Sequence, residues 1–319
     1  ALSALLGFEV PLESDVTGPE GHAAVERLAD GDVLMMENLR FHPGEEANDP
    51  DFAAALAALG EIYVGDAFSC THRAHASVEA LPRLMEVATA GRSLGEELTA
   101  LHNAFADPDR PVAAIVGGAK VSTKLQVLEN LVTSVDILIL GGGMANTFLL
   151  ARGQDVGASL VEADMVDTAR AIEASAKANG CHIVLPEDFL VAGEFAANVP
   201  HRVAGPGNVG EDEMILDAGP ASAQDVAHQL ETCRTVVWNG PMGAFEFPPF
   251  DSATNHVAKA VATLTADGAM MSVAGGGDTL AALANAGVSD QFSYVSTAGG
   301  AFLEWLEGRV LPGVEVLRC

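Results

Sequence analysis

The stretch Pro111-Val112-Ala113-Ala114-Ile115-Val116-Gly117-Gly118-Ala119-Lys120-Val121-Ser122-Thr123-Lys124 decides the fold class. Its first half is an uninterrupted apolar run, the pattern of a strand buried on both faces. Two glycines end it, and the residues from Lys124 to Leu131 then bring Leu125, Leu128 and Leu131 to one helical face. Strand, glycine turn and helix in succession form the unit from which wound parallel sheets are built. Two of the chain's four lysines lie in this turn, in a protein of formal net charge −28. Backbone N–H groups at a helix start, glycines that admit a ligand to the backbone, and two ammonium groups one helical turn apart together suit a phosphate. The spacing is not that of a P-loop, which needs Gly-x4-Gly-Lys-Ser/Thr. Taken alone, Gly-Gly-x-Lys reads equally well as a tight turn with two solvated lysines.

At 319 residues the chain is long enough for two domains with separate cores, and 49% hydrophobic with 19% charged residues describes a packed globular protein. An excess of 44 acidic over 16 basic residues excludes non-specific binding to nucleic acid or an anionic membrane. Cys70, Cys181, Cys233 and Cys319 are scattered, with neither a disulfide framework nor metal-ligand spacing, so a reducing, cytoplasmic setting and a monomer are expected. The longest apolar region, residues 137–150, is too short and too interrupted by glycine to span a bilayer. The chain opens without Met on what reads as the tail of a helix closed by Gly7, followed by a strand at residues 8–10; the true N-terminus is expected to lie outside the sequence.

Short apolar runs alternate with helical patterns throughout. Strands are expected at 33–36, 62–65, 112–116, 135–140, 182–185, 235–238 and 269–273, and helices at 52–59, 94–105, 163–178, 221–230, 252–264 and 279–286. The Asp107-Pro108-Asp109-Arg110-Pro111 cluster marks a domain boundary. Four strands run directly into glycine turns: Gly117-Gly118, Gly141-Gly142-Gly143, Asn239-Gly240-Pro241 and Gly275-Gly276-Gly277. In a parallel sheet these turns share one edge, so they are expected to face one crevice able to hold a nucleotide. Gly141-Gly-Gly-Met-Ala-Asn146 is not a dinucleotide fingerprint, because Asn146 stands where Gly-x-Gly-x-x-Gly needs glycine.

Trp238-Asn-Gly-Pro-Met-Gly-Ala-Phe-Glu246, with Gly117 to Lys124, Gly275-Gly-Gly-Asp-Thr279 and Ser296-Thr-Ala-Gly-Gly-Ala301, closely resembles the phosphoglycerate kinase family. Glu37-Asn-Leu-Arg-Phe41, Asp66-Ala-Phe68 leading into His72-Arg-Ala-His-Ala-Ser77, and Leu306-Glu-Gly-Arg-Val-Leu-Pro-Gly313 agree in the same order. The resemblance runs from about Leu5 to the end of the chain. It implies two doubly wound parallel-sheet α/β domains joined by a hinge helix, here at 94–105, with the first domain incomplete. The expected domains are 1–107, with the hinge helix, for phosphoglycerate, 108–297 for the nucleotide, and a 298–319 segment packing back on the first. The implied reaction is reversible phosphoryl transfer from 1,3-bisphosphoglycerate to ADP, giving 3-phosphoglycerate and ATP, with Mg2+ carried by the nucleotide.

By the same resemblance Gly118, Ala119, Lys120 and Lys124 face the phosphates, and Gly142 and Gly143 border the adenine. Leu216, Asn239, Gly240 and Pro241 shape the nucleotide pocket, and Glu246 holds the ribose. Gly275, Gly276, Gly277 and Thr279 lie at the phosphates, and Asp278 meets the metal. Lys120, Lys124, Gly276 and Gly277 are the residues implied to act on the transferring group. Arg40 and Arg73, with His72 beside them, hold the phosphoglycerate. The residues have simpler readings too: Arg40 as half of a surface ion pair, His72 and His75 as an ordinary polar loop, Glu246 as the outward residue of a strand, Asp278 as the N-cap of the helix 279–286.

The pattern departs from the family at the start: its Arg-x-Asp-x-Asn-x-Pro strand and His-x-Gly-Arg-Pro turn do not occur in this sequence. An unstable first domain and weak catalysis by this chain alone are therefore expected, with nucleotide binding retained. Ala298, and Ser69-Cys70, replace residues usual in the family and touch only fine geometry. Two other readings stay open: a different nucleotide-dependent α/β enzyme such as a dehydrogenase, and a non-catalytic nucleotide-binding fragment.

Overall fold

The computed structural model describes residues 1–105 and 107–318. The backbone divides into two compact units, Ala1–Glu96 with the residues from Val310 on, and Glu97–Arg309. The changeover falls inside the 14-residue helix Arg92–Phe105, ahead of the Pro and Asp cluster where the sequence placed a boundary. Residues 298–309 group with the second unit. Their helix, Gly299–Leu306, packs on the helix Leu125–Ser134, where Asn130 Nδ2 donates to Leu306 O at 2.8 Å.

The second unit is built on a six-stranded parallel sheet. In spatial order its strands are Tyr294–Ser296, Met271–Gly275, Thr235–Asn239, Val112–Val116, Ile137–Leu140 and His182–Val184. The earliest of them in sequence lies in the middle, so the winding direction reverses between Val112–Val116 and Thr235–Asn239. Such a switch point opens a crevice at the carboxyl ends of the two strands. Register sets those ends level: Asn239 pairs with Val116, Val116 with Leu140, and Gly275 with Ser296. Every residue of both central strands is buried, including the polar Thr235 and Asn239 at the ends of the second. The helices Pro220–Leu230 and Ser252–Ala266 contribute Val226, Leu230, Val257 and Val261 to a core shared with Ile115 and Trp238.

A three-stranded antiparallel sheet, in the order Met214–Ala218, Phe189–Ala192, His201–Ala204, is an addition that the sequence reading did not contain. In the first unit the expected strand at 8–10 does not form; Leu12–Glu13 pairs in parallel with Met35–Met36 instead. Ile62–Gly65 pairs in parallel with Val87–Ala90, so the described residues of this unit form two separate two-stranded parallel ladders. Alternate residues of the second ladder face outward, with Ile62 61% and Val64 55% exposed. A small core forms around Phe52, Ala53, Leu56 and Ala76. Among the described residues no helix is long and apolar enough to cross a membrane.

Candidate nucleotide site

The four glycine turns meet at the carboxyl edge of the sheet. Gly117 N donates to Asn239 O at 3.0 Å, Met144 N to Gly118 O at 3.0 Å, and Gly142 N to Met242 O at 2.7 Å. Asn239 Nδ2 donates to Gly275 O at 2.8 Å. Thr279 Oγ1 donates to the same carbonyl at 2.9 Å and accepts from Gly240 N at 2.7 Å. Glycine is required where the turns touch: a Cβ on Gly117 would lie 1.7 Å from Pro241 O, and Gly240 has φ +104° with a Cβ position 2.2 Å from Gly117 O.

Lys124 sits at the centre of this lattice. It caps the start of the helix Leu125–Ser134 and turns its ammonium back, with Nζ 2.6 Å from Gly117 O, 2.9 Å from Asn239 O and 2.6 Å from Asn239 Oδ1. An ammonium has three donors, and all three are engaged. Burial lowers the Lys124 pKa from 10.5 to about 8, against the opposing pull of the Asp278 carboxylate, so the group is charged at neutral pH. The resemblance implied that this side chain faces the phosphates; in the structure it clamps two strand ends at the switch point. Lys120 is exposed. In the turn between the two lysines, Ser122 N donates to Glu162 Oε2 at 3.0 Å, and Ser122 Oγ donates to the other carboxylate oxygen. Burial pushes the Glu162 carboxyl up, but the bonds from Ser122 and Val121 and the charge of Lys120 outweigh it and hold the group below its usual range.

Beside the lattice lies a cavity of about 420 Å³. Gly118, Ala119, Gly142 and Gly143 line it together with Leu216, Pro241 and Glu246, and Asp278 joins them. Glu246 and Asp278 are both exposed, and among the described residues neither carboxylate has a hydrogen bond or salt bridge.

Comparison with known proteins agrees with this geometry. A profile described as phosphoglycerate kinase matches residues 1–309. The phosphoglycerate kinase of Xanthobacter autotrophicus is 60% identical over 318 residues, covering 100% of this chain and 80% of that relative. The Rhodospirillum centenum phosphoglycerate kinase is 59% identical over 317 residues, covering 99% of this chain and 80% of the relative. The solved structure of phosphoglycerate kinase from Coxiella burnetii matches with a TM-score of 0.92 at 42% identity, covering 99% of this chain and 78% of that one. The chain belongs to the phosphoglycerate kinase family.

Of the residues implied by likeness to phosphoglycerate kinase, Gly118, Ala119, Gly142, Gly143, Leu216, Pro241, Glu246 and Asp278 line the cavity. Lys124, Asn239, Gly240, Gly275 and Thr279 form the hydrogen-bonded layer described above. Gly276 is the N-cap of the helix Gly277–Ala286, and Gly277 begins it with open space where a Cβ would be. Asp278 is therefore not the cap; it lies in the first turn and makes no capping bond. Glu246 lies in a turn, not on a strand.

In the first unit of this phosphoglycerate kinase family member, Arg40 is exposed on the short turn Leu39–Phe41 and has no salt bridge among the described residues, so the surface-pair reading does not hold. Arg73 is also exposed, and its Nε donates to His72 Nε2 at 3.2 Å. His75 is buried, with Nδ1 3.8 Å from Glu45 Oε1.

Sequence reasoning missed the wall that the antiparallel sheet supplies, Met214, Ile215 and Asp217, and also Leu160, Phe195 and Asn146. The apolar run Met214-Ile215-Leu216 carries the same signal as the other strands, masked by the charged residues Glu211, Asp212 and Glu213 before it. Asp217 is buried and accepts from Ala218 N and Ala253 N, each at 2.9 Å. It thereby satisfies a free N–H at the start of the helix Ser252–Ala266. Burial drives its pKa well above the ordinary aspartate value despite those two bonds.

Proposed function

We propose that this chain catalyses the reversible transfer of a phosphoryl group from 1,3-bisphosphoglycerate to ADP, giving 3-phosphoglycerate and ATP. The nucleotide is assigned to the cavity of the second unit, and the phosphoglycerate to Arg40 and Arg73 of the first. The observation that carries the assignment is the meeting of four glycine turns around Lys124 beside a cavity of about 420 Å³. That size falls within the range of roughly 300–1,000 Å³ usual for small-molecule sites.

The chemistry asks little acid–base work of the protein. In the ATP-consuming direction a carboxylate oxygen attacks the γ-phosphorus while the bond from that phosphorus to the bridging oxygen breaks. A carboxyl group with a pKa of about 4 is already ionised at neutral pH, so no general base is needed. What remains is to position two anions and balance charge on the group in transit. Lys120, exposed, is assigned to the phosphates directly. Lys124 contributes through its field and by fixing the turn, because its donors are occupied. The helix Gly277–Ala286 starts beside the cavity, where Asp278 of its first turn is part of the lining, and its first backbone N–H groups are assigned to the phosphates.

Asp278 suits a magnesium ion that arrives with the nucleotide. Among the described residues no group of three or more His, Cys, Asp or Glu could hold a metal, so a cation at Asp278 has to share phosphate oxygens. That is the ordinary ligand set of Mg2+: one or two carboxylates with substrate phosphates. Bound there, it supplies neutralisation of phosphate charge. A monomeric, cytoplasmic enzyme is part of the proposal, and the free thiols at Cys70, Cys181 and Cys233 support the reducing compartment.

The test is a coupled assay of ATP formation from 1,3-bisphosphoglycerate and ADP, run with calorimetric titrations of ADP, NAD and 3-phosphoglycerate. ATP formation with ADP binding supports the proposal. ADP binding without transfer or phosphoglycerate binding would assign the chain to a nucleotide-binding role, and preference for NAD would replace the reaction class.

A further inference from the structure

We infer that Glu162 is a positioning residue for the phosphoryl transfer: its carboxylate grips the backbone just after Lys120 and so fixes where that ammonium is presented. The inference rests on the assignment of Lys120 to the phosphates made above. Lys124 cannot take that role by contact, since its three donors are spent on Gly117 and Asn239. Lys120 is exposed on the same turn, and its neighbour Ala119 lines the cavity. A long flexible stem places its charge only as well as the backbone beneath it is held.

Part of that holding comes from within the turn. Thr123 Oγ1 donates to Lys120 O at 2.9 Å, and Lys124 N donates to Val121 O at 3.0 Å. The N–H groups of Val121 and Ser122 go to a partner 40 residues away in sequence, the Glu162 carboxylate, which also takes the Ser122 hydroxyl. A carboxylate is an acceptor only, so it suits three converging donors as no neutral side chain of the same length can. Glu162 is itself anchored: its N–H donates at 3.1 Å to Oγ1 of Thr147, which is buried on the helix Gly142–Ala151. The same helix takes the start of the turn, where Met144 N donates to Gly118 O at 3.0 Å. The segment carrying Lys120 is thus fastened to one helix on both sides, at Gly118 directly and at Val121 and Ser122 through Glu162.

Two other roles for this carboxylate make different predictions. As a bare charge near Lys120 it opposes incoming phosphates, and its removal would tighten nucleotide binding without slowing transfer. As a general support of the fold, its loss would loosen the whole site, and affinity and turnover would fall together. Positioning predicts a split instead. The ammonium still lends its charge to the bound nucleotide, but it no longer meets the group in transit at the right place, so turnover falls while affinity holds.

The experiment measures kcat and KM for both substrates, with ADP affinity by calorimetry, in the wild type, Glu162→Gln, Lys120→Met and the double variant. Glu162→Gln keeps the length but has one acceptor oxygen, and its NH2 group is set against a donor. Asp164→Asn, at an exposed position two residues on, controls for charge alone. Glu162→Gln is expected to lower kcat about tenfold with ADP affinity unchanged. The double variant is expected to be no slower than Lys120→Met, because the tie acts through Lys120. Asp164→Asn is expected to match the wild type. Ser122→Ala removes one donor, leaves the carboxylate charged, and is expected to lower kcat about threefold; it carries the test if Glu162→Gln does not fold. Unchanged kcat in Glu162→Gln or Ser122→Ala overturns the inference, as does a parallel fall in ADP affinity. Equal slowing by Asp164→Asn, or a further full loss when Glu162→Gln is added to Lys120→Met, overturns it too. Unchanged turnover in Lys120→Met is a separate failure, which removes the assignment of Lys120 to the phosphates and the inference with it.

Discussion

Nucleotide affinity is expected to fall as pH rises through 8, and Lys124 is the reason. In the free protein, burial holds its pKa at about 8 against an ordinary 10.5. Phosphates placed in the adjoining cavity favour the charged ammonium and move its pKa back up. Binding above pH 8 therefore takes up a proton, and the association constant drops by as much as tenfold per pH unit. The gap between 8 and 10.5 caps the total at about 3 kcal/mol, or roughly 300-fold. Stability of the free protein moves the opposite way. Between about pH 8 and 10.5 the unfolded chain holds this proton and the folded chain has lost it, so the contribution of Lys124 to stability is lowest below 8 and rises across that window. Calorimetry in buffers of different ionisation enthalpy measures the proton uptake directly, and urea unfolding of wild type and Lys124→Met isolates the stability term. Affinity that stays constant from pH 7 to 9.5 without proton uptake, or an identical profile in Lys124→Met, would refute the reasoning.

Asp278→Ala is expected to reduce ADP affinity about tenfold or more when magnesium is present, and to leave it unchanged or tighter when magnesium is chelated, since a carboxylate then no longer repels the phosphates; titrations with and without chelator read the crossover. Arg40→Ala and Arg73→Ala should each raise the KM for 3-phosphoglycerate by roughly 10- to 100-fold, the range for losing a charge-assisted hydrogen bond, with ADP affinity untouched; a matching loss of ADP affinity would place the arginines elsewhere. Asp217→Ala strips the partner from Ala253 N and should lower the unfolding free energy in urea by about 1–3 kcal/mol.

The wound sheet was legible because its strands are buried on both faces, which demands apolar runs such as those at 112–116 and 236–238. The antiparallel sheet was not. Three of the four residues of His201–Ala204 are exposed, and a short edge strand that needs no apolar face leaves no periodic trace. At the site, sterics wrote the turns into the sequence: where a Cβ at Gly117 would collide with Pro241 O, only glycine survives, and the four clusters could be counted before any contact was known. The first unit was less readable because Leu12–Glu13 and Met35–Met36 are two-residue ladders, too short to show any period.

The aim of a side chain is a different kind of information. Two lysines beside two glycines announce an anion site, yet Lys124 spends its donors on Gly117 and Asn239, the latter 115 residues further along the chain. That partnership exists only because the register sets Asn239 opposite Val116, so it is a consequence of sheet order rather than of local spacing. The same clamp supplies positive charge at the switch point and holds the turn Gly117-Gly118 that leads to Lys120. Replacing Lys124 thus removes a field and loosens a scaffold at once, and the size of the resulting loss mixes the two. Proton uptake above pH 8 belongs to the field alone, because a neutral lysine still reaches the same carbonyls with two donors. The pH profile, more than any single substitution, is what separates an ammonium that acts at a distance from one that touches the phosphate.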